Sequence, residues 1–491
     1  MLYSQNSVIE LVGALSPLLA LAGAAVVPLA PPSLTHRLNR LFAVVVATAA
    51  LGTAVAGAAG GQSQAGWIQL DPLGSVFLLV NGLLGGVSAF VSPVYLAHEQ
   101  RGLFASGSRW YYLGLYLFWA ALLAIPLAAN LGVAWLLIET TTGASALLVA
   151  YSGKRRALEA GWKYLLLTTF GLTVALLGIV FLYAAVAPRG DGLSTLDWSA
   201  LRAAAPALPH ETTVVALVLI IGGLAAKIGW APVHHWLPDA HSEAPAPVSA
   251  MLSGALLPSV MLIAWRVQAA ISPASGAGTS RTLFLAFGLT SLAVAVPFLW
   301  RPMAIKRLLA YSSLEHVGIL ALGIGFDQPL AFAGVILHVW GHALAKSLGF
   351  YATMPIFRLQ PTAVRRPAAG IARLSPDTGT ALGVSILSLS GLPPSPLFFS
   401  ELFILLGGMT AHQYAVVAAA AVMLALGFIG LAHQLLEALL GRPRRDVRDG
   451  AARSRIRALS LAAGAGLVAL SLLAYFLPGS NFLEAFTRAA S

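Results

Sequence analysis

Long, uninterrupted apolar runs dominate this sequence. A membrane-crossing helix needs about 20 apolar residues. Fourteen runs of that kind lie at roughly 8–30, 41–61, 72–97, 109–128, 130–151, 161–187, 212–233, 246–269, 282–300, 303–324, 328–357, 379–408, 414–440 and 457–477. They are continuous rather than alternating with period two, so they read as helices and not as barrel strands. Only 10% of the 491 residues are charged, 58% are hydrophobic, and mean hydropathy is +0.82. Soluble domains carry about 25% charged residues, and a water-soluble chain could not hide this much apolar surface. The expected fold is an all-α polytopic membrane protein with about 14 transmembrane helices. The first run carries Glu10 and has no basic residue ahead of it, so it reads as a retained helix rather than a signal peptide.

The net charge of +11 is explained by topology. With the N-terminus outside, 22 of the 29 Lys and Arg fall on the cytoplasmic side, seven of them between Arg442 and Arg457. Five (Arg189, Arg202, Arg266, Arg281 and Arg488) fall outside. The positive-inside rule therefore places both termini outside a cell inner membrane. The basic residues do not interleave with aromatics, so nucleic acid is not an expected partner; the lipid bilayer is. Cysteine is absent. That excludes thiolate-ligated clusters, Cys-ligated zinc, c-type haem and disulfides, and no cofactor is expected on this chain. Any redox chemistry belongs to a partner.

Lys227 and Lys346 lie inside apolar runs, as do Glu139, Glu315 and Glu401. A mid-bilayer charge costs at least about 2.5–3.5 kcal/mol on insertion scales, so ionisable groups of both signs along one bundle suggest a proton path. In LAAKIGWAPVHHWLPDAHSEAPAPVSAM (224–251), Lys227 is followed by Pro232, which breaks the helix. In SGLPPSPLFFSELFIL (390–405), Pro393 and Pro394 break a second run ahead of Glu401. Paired broken helices suggest two inverted five-helix repeats, at 109–269 and 282–440. They are preceded by a three-helix segment (1–108) and followed by a basic cytoplasmic loop and final helix (441–491). His338, His342 and Lys346 are spaced i, i+4, i+8 and share one helical face. Imidazole titrates near neutral pH and exchanges protons at either nitrogen. No metal is expected at HVWGH, which offers two ligands and lacks a third.

WKYLLL (162–167), AKIGWAPVHHWLPDAHSEAPAPVSAMLSG (226–254), IKRLLAYSSLEHVG (305–318), GHALAKS (341–347) and GLPPSPLFFSELFIL (391–405) resemble the proton-translocating, antiporter-like subunits of respiratory complex I, multisubunit cation/proton antiporters and membrane-bound hydrogenases. The Glu315–His316 pair and the context of Lys346 are most similar to the F component of the bacterial hydrogenase-4 complex. The resemblance implies that Glu139 gates proton entry and pairs with Lys227, which holds the proton. It implies that Lys346 belongs to the central axis and Glu401 to the exit. His338, His342, Glu315, His316 and His241 form a secondary set. Pro258 stands where several relatives carry lysine.

The residues also admit blander roles: a structural Glu139–Lys227 pair, Glu401 as a cap, and Glu315, His338 and His342 as packing groups. The expected function is proton translocation as one subunit of a respiratory or hydrogenase-type complex. Its partners would be other membrane subunits and a peripheral redox or zinc-enzyme arm. The alternatives are a Na⁺/H⁺ antiporter subunit, the proton-channel subunit of an inorganic-carbon uptake complex, and a scaffold that has lost conduction. A topology reporter fused after Arg453 is expected to read cytoplasmic; a periplasmic signal there inverts the whole frame.

Overall fold

The computed structural model describes residues 2–60, 62–97, 108–189, 192–443 and 456–476. The Arg453 position, most of the basic 441–457 loop and residues 477–491 lie outside the described residues. In chain order the helices are α1 (Leu2–Leu29), α2 (Pro32–Gly60), α3 (Pro72–Leu96), α4 (Ser108–Ala124), α5 (Leu131–Val149), α6 (Arg155–Val186), α7 (Trp198–Ala204), α8 (His210–Ile228), α9 (Trp236–Glu243) and α10 (Ala246–Met251). They continue as α11 (Leu257–Ser275), α12 (Ala277–Leu299), α13 (Ile305–Phe326), α14 (Pro329–Leu359), α15 (Ile371–Leu374), α16 (Pro376–Leu389), α17 (Pro396–Thr410), α18 (Tyr414–Leu440) and α19 (Ile456–Phe476).

The protein is a helical, polytopic membrane protein. Among the described residues, 11 helices are long and apolar enough to cross a bilayer; α17 and the Arg457–Leu473 stretch of α19 are shorter apolar helices. One element is not helical. Between α2 and α3 a hairpin pairs β1 (Ser63–Ala65) with β2 (Ile68–Leu70), antiparallel, Ser63 opposite Leu70. Gly66 opens its tight turn at φ +54°, a conformation glycine adopts without strain.

The described residues form two compact units. One comprises the chain up to Gly229 together with Glu243–Leu283; the other comprises Trp230–Ser242 and the chain from Phe284 onward. The segment after Lys227, including most of α9, thus groups with the second unit and not with the first repeat read from sequence.

Both proline breaks share one pattern. α8 stops at the left-handed Gly229 (φ +81°), three residues before Pro232. α16 stops ahead of the left-handed Gly391 (φ +69°), two residues before Pro393. Glycine closes a helix in this conformation, and proline cannot resume its bonding. Pro258 acts differently. It sits at the start of α11, directly after a π-helical turn over Leu252–Leu256 whose last bond runs from Leu257 N–H to Leu252 O. The ring has no N–H to close the ordinary i→i−4 bond, and the chain passes it through a wider turn.

In the first unit, the side chain of Asp71 caps α3 by accepting from Gly74 N–H at 2.6 Å. Its other oxygen accepts from Arg266 Nη2 at 2.6 Å and from Gln69 Nε2 at 2.6 Å. Arg266 Nη1 donates to Pro126 O at 2.9 Å. Arg266, which charge counting places simply on the outer side, is buried within α11. Removing one partner of a buried pair typically costs about 3–5 kcal/mol. Asp71→Ala is therefore expected to lower the thermal unfolding midpoint in detergent sharply. Asp71→Leu combined with Arg266→Met is expected to recover most of that loss, because no charge is then left buried alone.

Candidate functional site

Among the described residues, each unit has one lysine at zero exposure. In the first, α6 and α8 cross closely because glycines face each other: a Cβ on Gly171 would meet Gly223 O at 2.8 Å. Small residues of this kind let membrane helices approach. One residue past Ala226, Lys227 is fully buried. Its Nζ donates to Thr142 Oγ1 of α5 at 2.7 Å and to Tyr164 OH of α6 at 2.6 Å. Tyr164 OH lies 2.7 Å from Ser145 Oγ, and Ser145 donates its hydrogen to Thr141 O. Each hydroxyl has one hydrogen. Tyr164 therefore donates to Ser145 while accepting from Lys227, and the chain has a direction.

Glu139 lies on the same helix as Thr142, three residues earlier. Its Oε1 accepts from Thr169 Oγ1 at 2.9 Å, and its Oε2 has no hydrogen-bond partner among the described residues. No ion pair joins Glu139 to Lys227 among the described residues. The groups bonded directly to the ammonium form a hydroxyl cradle.

In the second unit, Lys346 is fully buried on α14. Its Nζ donates to Leu309 O at 2.5 Å and to Ser312 Oγ, both on α13. Here the ligands are a carbonyl and a hydroxyl, and again neither is a carboxylate. Glu315, one turn beyond Ser312, is buried, with Oε2 unbonded among the described residues. Gly427 of α18 leaves the space for its carboxylate.

Gly334 of α14 lies so close to α17 that a Cβ there would meet Ser400 O at 2.8 Å. One turn on, His338 Nδ1 lies 2.8 Å from Ser400 Oγ. His338 Nε2 lies 3.0 Å from His316 Nδ1. The His316 ring centroid is 5.0 Å from those of both His338 and His342, so it packs against both α14 histidines. The helix-face reading of His338, His342 and Lys346 is joined here by His316 and Glu315 from α13. His241 of α9 is buried and stacks on Phe350 at 5.6 Å.

His316, His338 and Glu401 bring three donor atoms within 4.8 Å of one another. Of the two HVWGH histidines only His338 belongs to this group; His316 and Glu401 arrive from other helices, where local spacing could not show them. The residues that sequence reading passed over are the hydroxyl ligands Thr142, Tyr164, Ser145, Thr169, Ser312 and Ser400. Serine and threonine are too common in apolar runs to signal by themselves.

The family described as NADH:quinone oxidoreductase/Mrp antiporter, TM, matches residues 128–427. A hydrogenase-4 component F homolog of Methylacidiphilum infernorum is 34% identical over 77% of this chain and 80% of its own length. NADH-quinone oxidoreductase subunit N of Desulforudis audaxviator is 30% identical over 83% of each. The fold matches a chain of an archaeal respiratory complex, the membrane-bound sulfane sulfur reductase, with TM-score 0.84, 21% identity and coverage of 98% and 97%. The AYSSLEH and GLPPSP blocks fall inside the matched region.

Gly427→Ala would drive a methyl into Glu315 Oε1. Overpacking of this kind costs about 1–3 kcal/mol, so a lower thermal midpoint is expected. Gly222→Ala in α8, where nothing lies within 4 Å of the added Cβ, is the matched control and is expected to leave the midpoint unchanged.

Proposed function

We propose a proton-conducting role from one premise: the chain belongs to the NADH:quinone oxidoreductase/Mrp antiporter membrane-subunit family. It is an antiporter-like membrane subunit, and in this reading it carries protons across a cell inner membrane with both termini outside. The chain works within a larger complex, alongside other membrane subunits and a peripheral arm that supplies the driving reaction. The names of its relatives favour a redox reaction in that arm. The chain itself contributes no cofactor; it contributes proton-holding groups.

The observation that carries the reading is the ligation of the two buried lysines. Hydroxyls and carbonyls accept hydrogen bonds from an ammonium without neutralising it. A hydroxyl can also rotate and donate to the free amine that remains after proton release. The cradle therefore serves both states, whereas a tight carboxylate contact would favour the charged one. Lys227 stores a proton beside the Tyr164–Ser145 chain. Lys346 does the same at the end of the His338–His342 face. Glu139, Glu315 and Glu401 are carboxylates whose charge tips those equilibria, and His316 and His241 extend the polar path.

The assembled complex, reconstituted into vesicles with a pH-sensitive dye and an imposed membrane potential, tests this. Lys227→Ala and Lys346→Ala are each expected to cut proton flux at least about tenfold while the complex still assembles, in line with the size of general acid–base effects. Lys→Arg at either site is expected to rescue little, since guanidinium hardly releases its proton. Undiminished flux in Lys346→Ala would remove the basis of the reading.

A further inference from the structure

We propose that Ser400 fixes the tautomers of His338 and His316, and thereby makes Nε2 of His316 the atom at which this histidine pair takes up a proton. The inference rests on the proton-conducting role proposed for the chain and assigns an order to one part of it.

Ser400 is fully buried on α17, and its hydroxyl donates to Leu397 O at 2.7 Å. A serine hydroxyl has one hydrogen. With that hydrogen given to the carbonyl, Oγ can only accept, so His338 Nδ1 at 2.8 Å carries the hydrogen between them. A neutral imidazole has one N–H, which leaves His338 Nε2 bare. His316 Nδ1, 3.0 Å away, must then be the donor in that bond. One nitrogen of the pair remains open, His316 Nε2. It is buried and makes no hydrogen bond of ordinary geometry among the described residues.

The opposite arrangement, with Ser400 donating to His338, gives up the Leu397 bond.

In the transfer, a proton adds to His316 Nε2 and forms an N–H there. The Nδ1–H bond of His316 breaks, and that hydrogen bonds to His338 Nε2. The positive charge moves from His316 to His338, and Ser400 keeps accepting from His338 Nδ1–H throughout. The charged and titratable groups around the pair are Glu315, His342, Lys346 and Glu401.

Ser400 is thus a positioning residue, and its test reads the tautomers directly. Nitrogen-15 NMR of the histidine-labelled, vesicle-embedded complex, with His316→Asn and His338→Asn for assignment, is expected to show both rings protonated at Nδ1. Ser400→Ala should move the His338 hydrogen to Nε2 in a large fraction of molecules. It should also slow potential-driven proton flux about tenfold, the equivalent of losing one hydrogen bond of about 1.4 kcal/mol. Ser400→Thr, which keeps the hydroxyl, should restore both. A wild-type His338 protonated at Nε2 overturns the proposal even if Ser400→Ala does not assemble. Unchanged tautomers and flux in Ser400→Ala, alongside a dead Lys346→Ala, overturn it and leave the proton-conducting reading intact. Wild-type flux in Lys346→Ala strikes at that reading instead, and the tautomer spectrum still decides the part of Ser400.

Discussion

An ammonium group inside an apolar helix bundle is tolerable only if its N–H bonds find acceptors. Much of the polar structure of this protein answers that demand. Lys227 and Lys346 lie in separate units, yet each is met by a side-chain hydroxyl from a neighbouring helix, with Tyr164 added in one and the Leu309 carbonyl in the other. Neutral acceptors stabilise the charge without fixing it in place. The carboxylates are kept off the lysines: Glu139 bonds Thr169, and Glu315 occupies the space left by Gly427. An arrangement built for rigidity would have joined them, as Asp71 and Arg266 are joined in the first unit.

Those contacts depend on how near the helices can come. The Gly171–Gly223 crossing sets the approach of α6 to α8, and Gly334 sets that of α14 to α17. In each unit a serine bonds back to its own helix and then accepts from a group on another: Ser145 from Tyr164, and Ser400 from His338. The serine spends its single hydrogen locally, and everything bonded to it upstream acquires an orientation. Direction in these chains comes from a hydrogen count.

Hydrophobic runs, prolines and misplaced charges are loud signals, and they made the architecture legible in the sequence. Helices α8 and α16 end shortly before Pro232 and Pro393, and His338, His342 and Lys346 all lie on α14. The features that stayed hidden depend on partners far along the chain. Asp71 and Arg266 are 195 residues apart, and counting charges by membrane side treats Arg266 as a topological marker when it is half of a buried pair. Ser312 lies 34 residues from Lys346 in a run where a serine draws no attention. The β1–β2 hairpin, three residues per strand, is too short for periodicity to register. The grouping of residues 230–242 with the second unit reflects tertiary packing, on which local pattern is silent.

The widened turn at Leu252–Leu256 holds one more residue than an α-helical turn would, so positions on either side of it do not share a common helical wheel. Each residue of an α-helix advances about 100° around the axis. Excising a single residue from this turn would swing everything downstream by about that angle, carrying the Arg266 guanidinium away from Asp71. The turn is in effect a built-in frameshift of the helical surface, and the ion pair beyond it is in phase only because the extra residue is there.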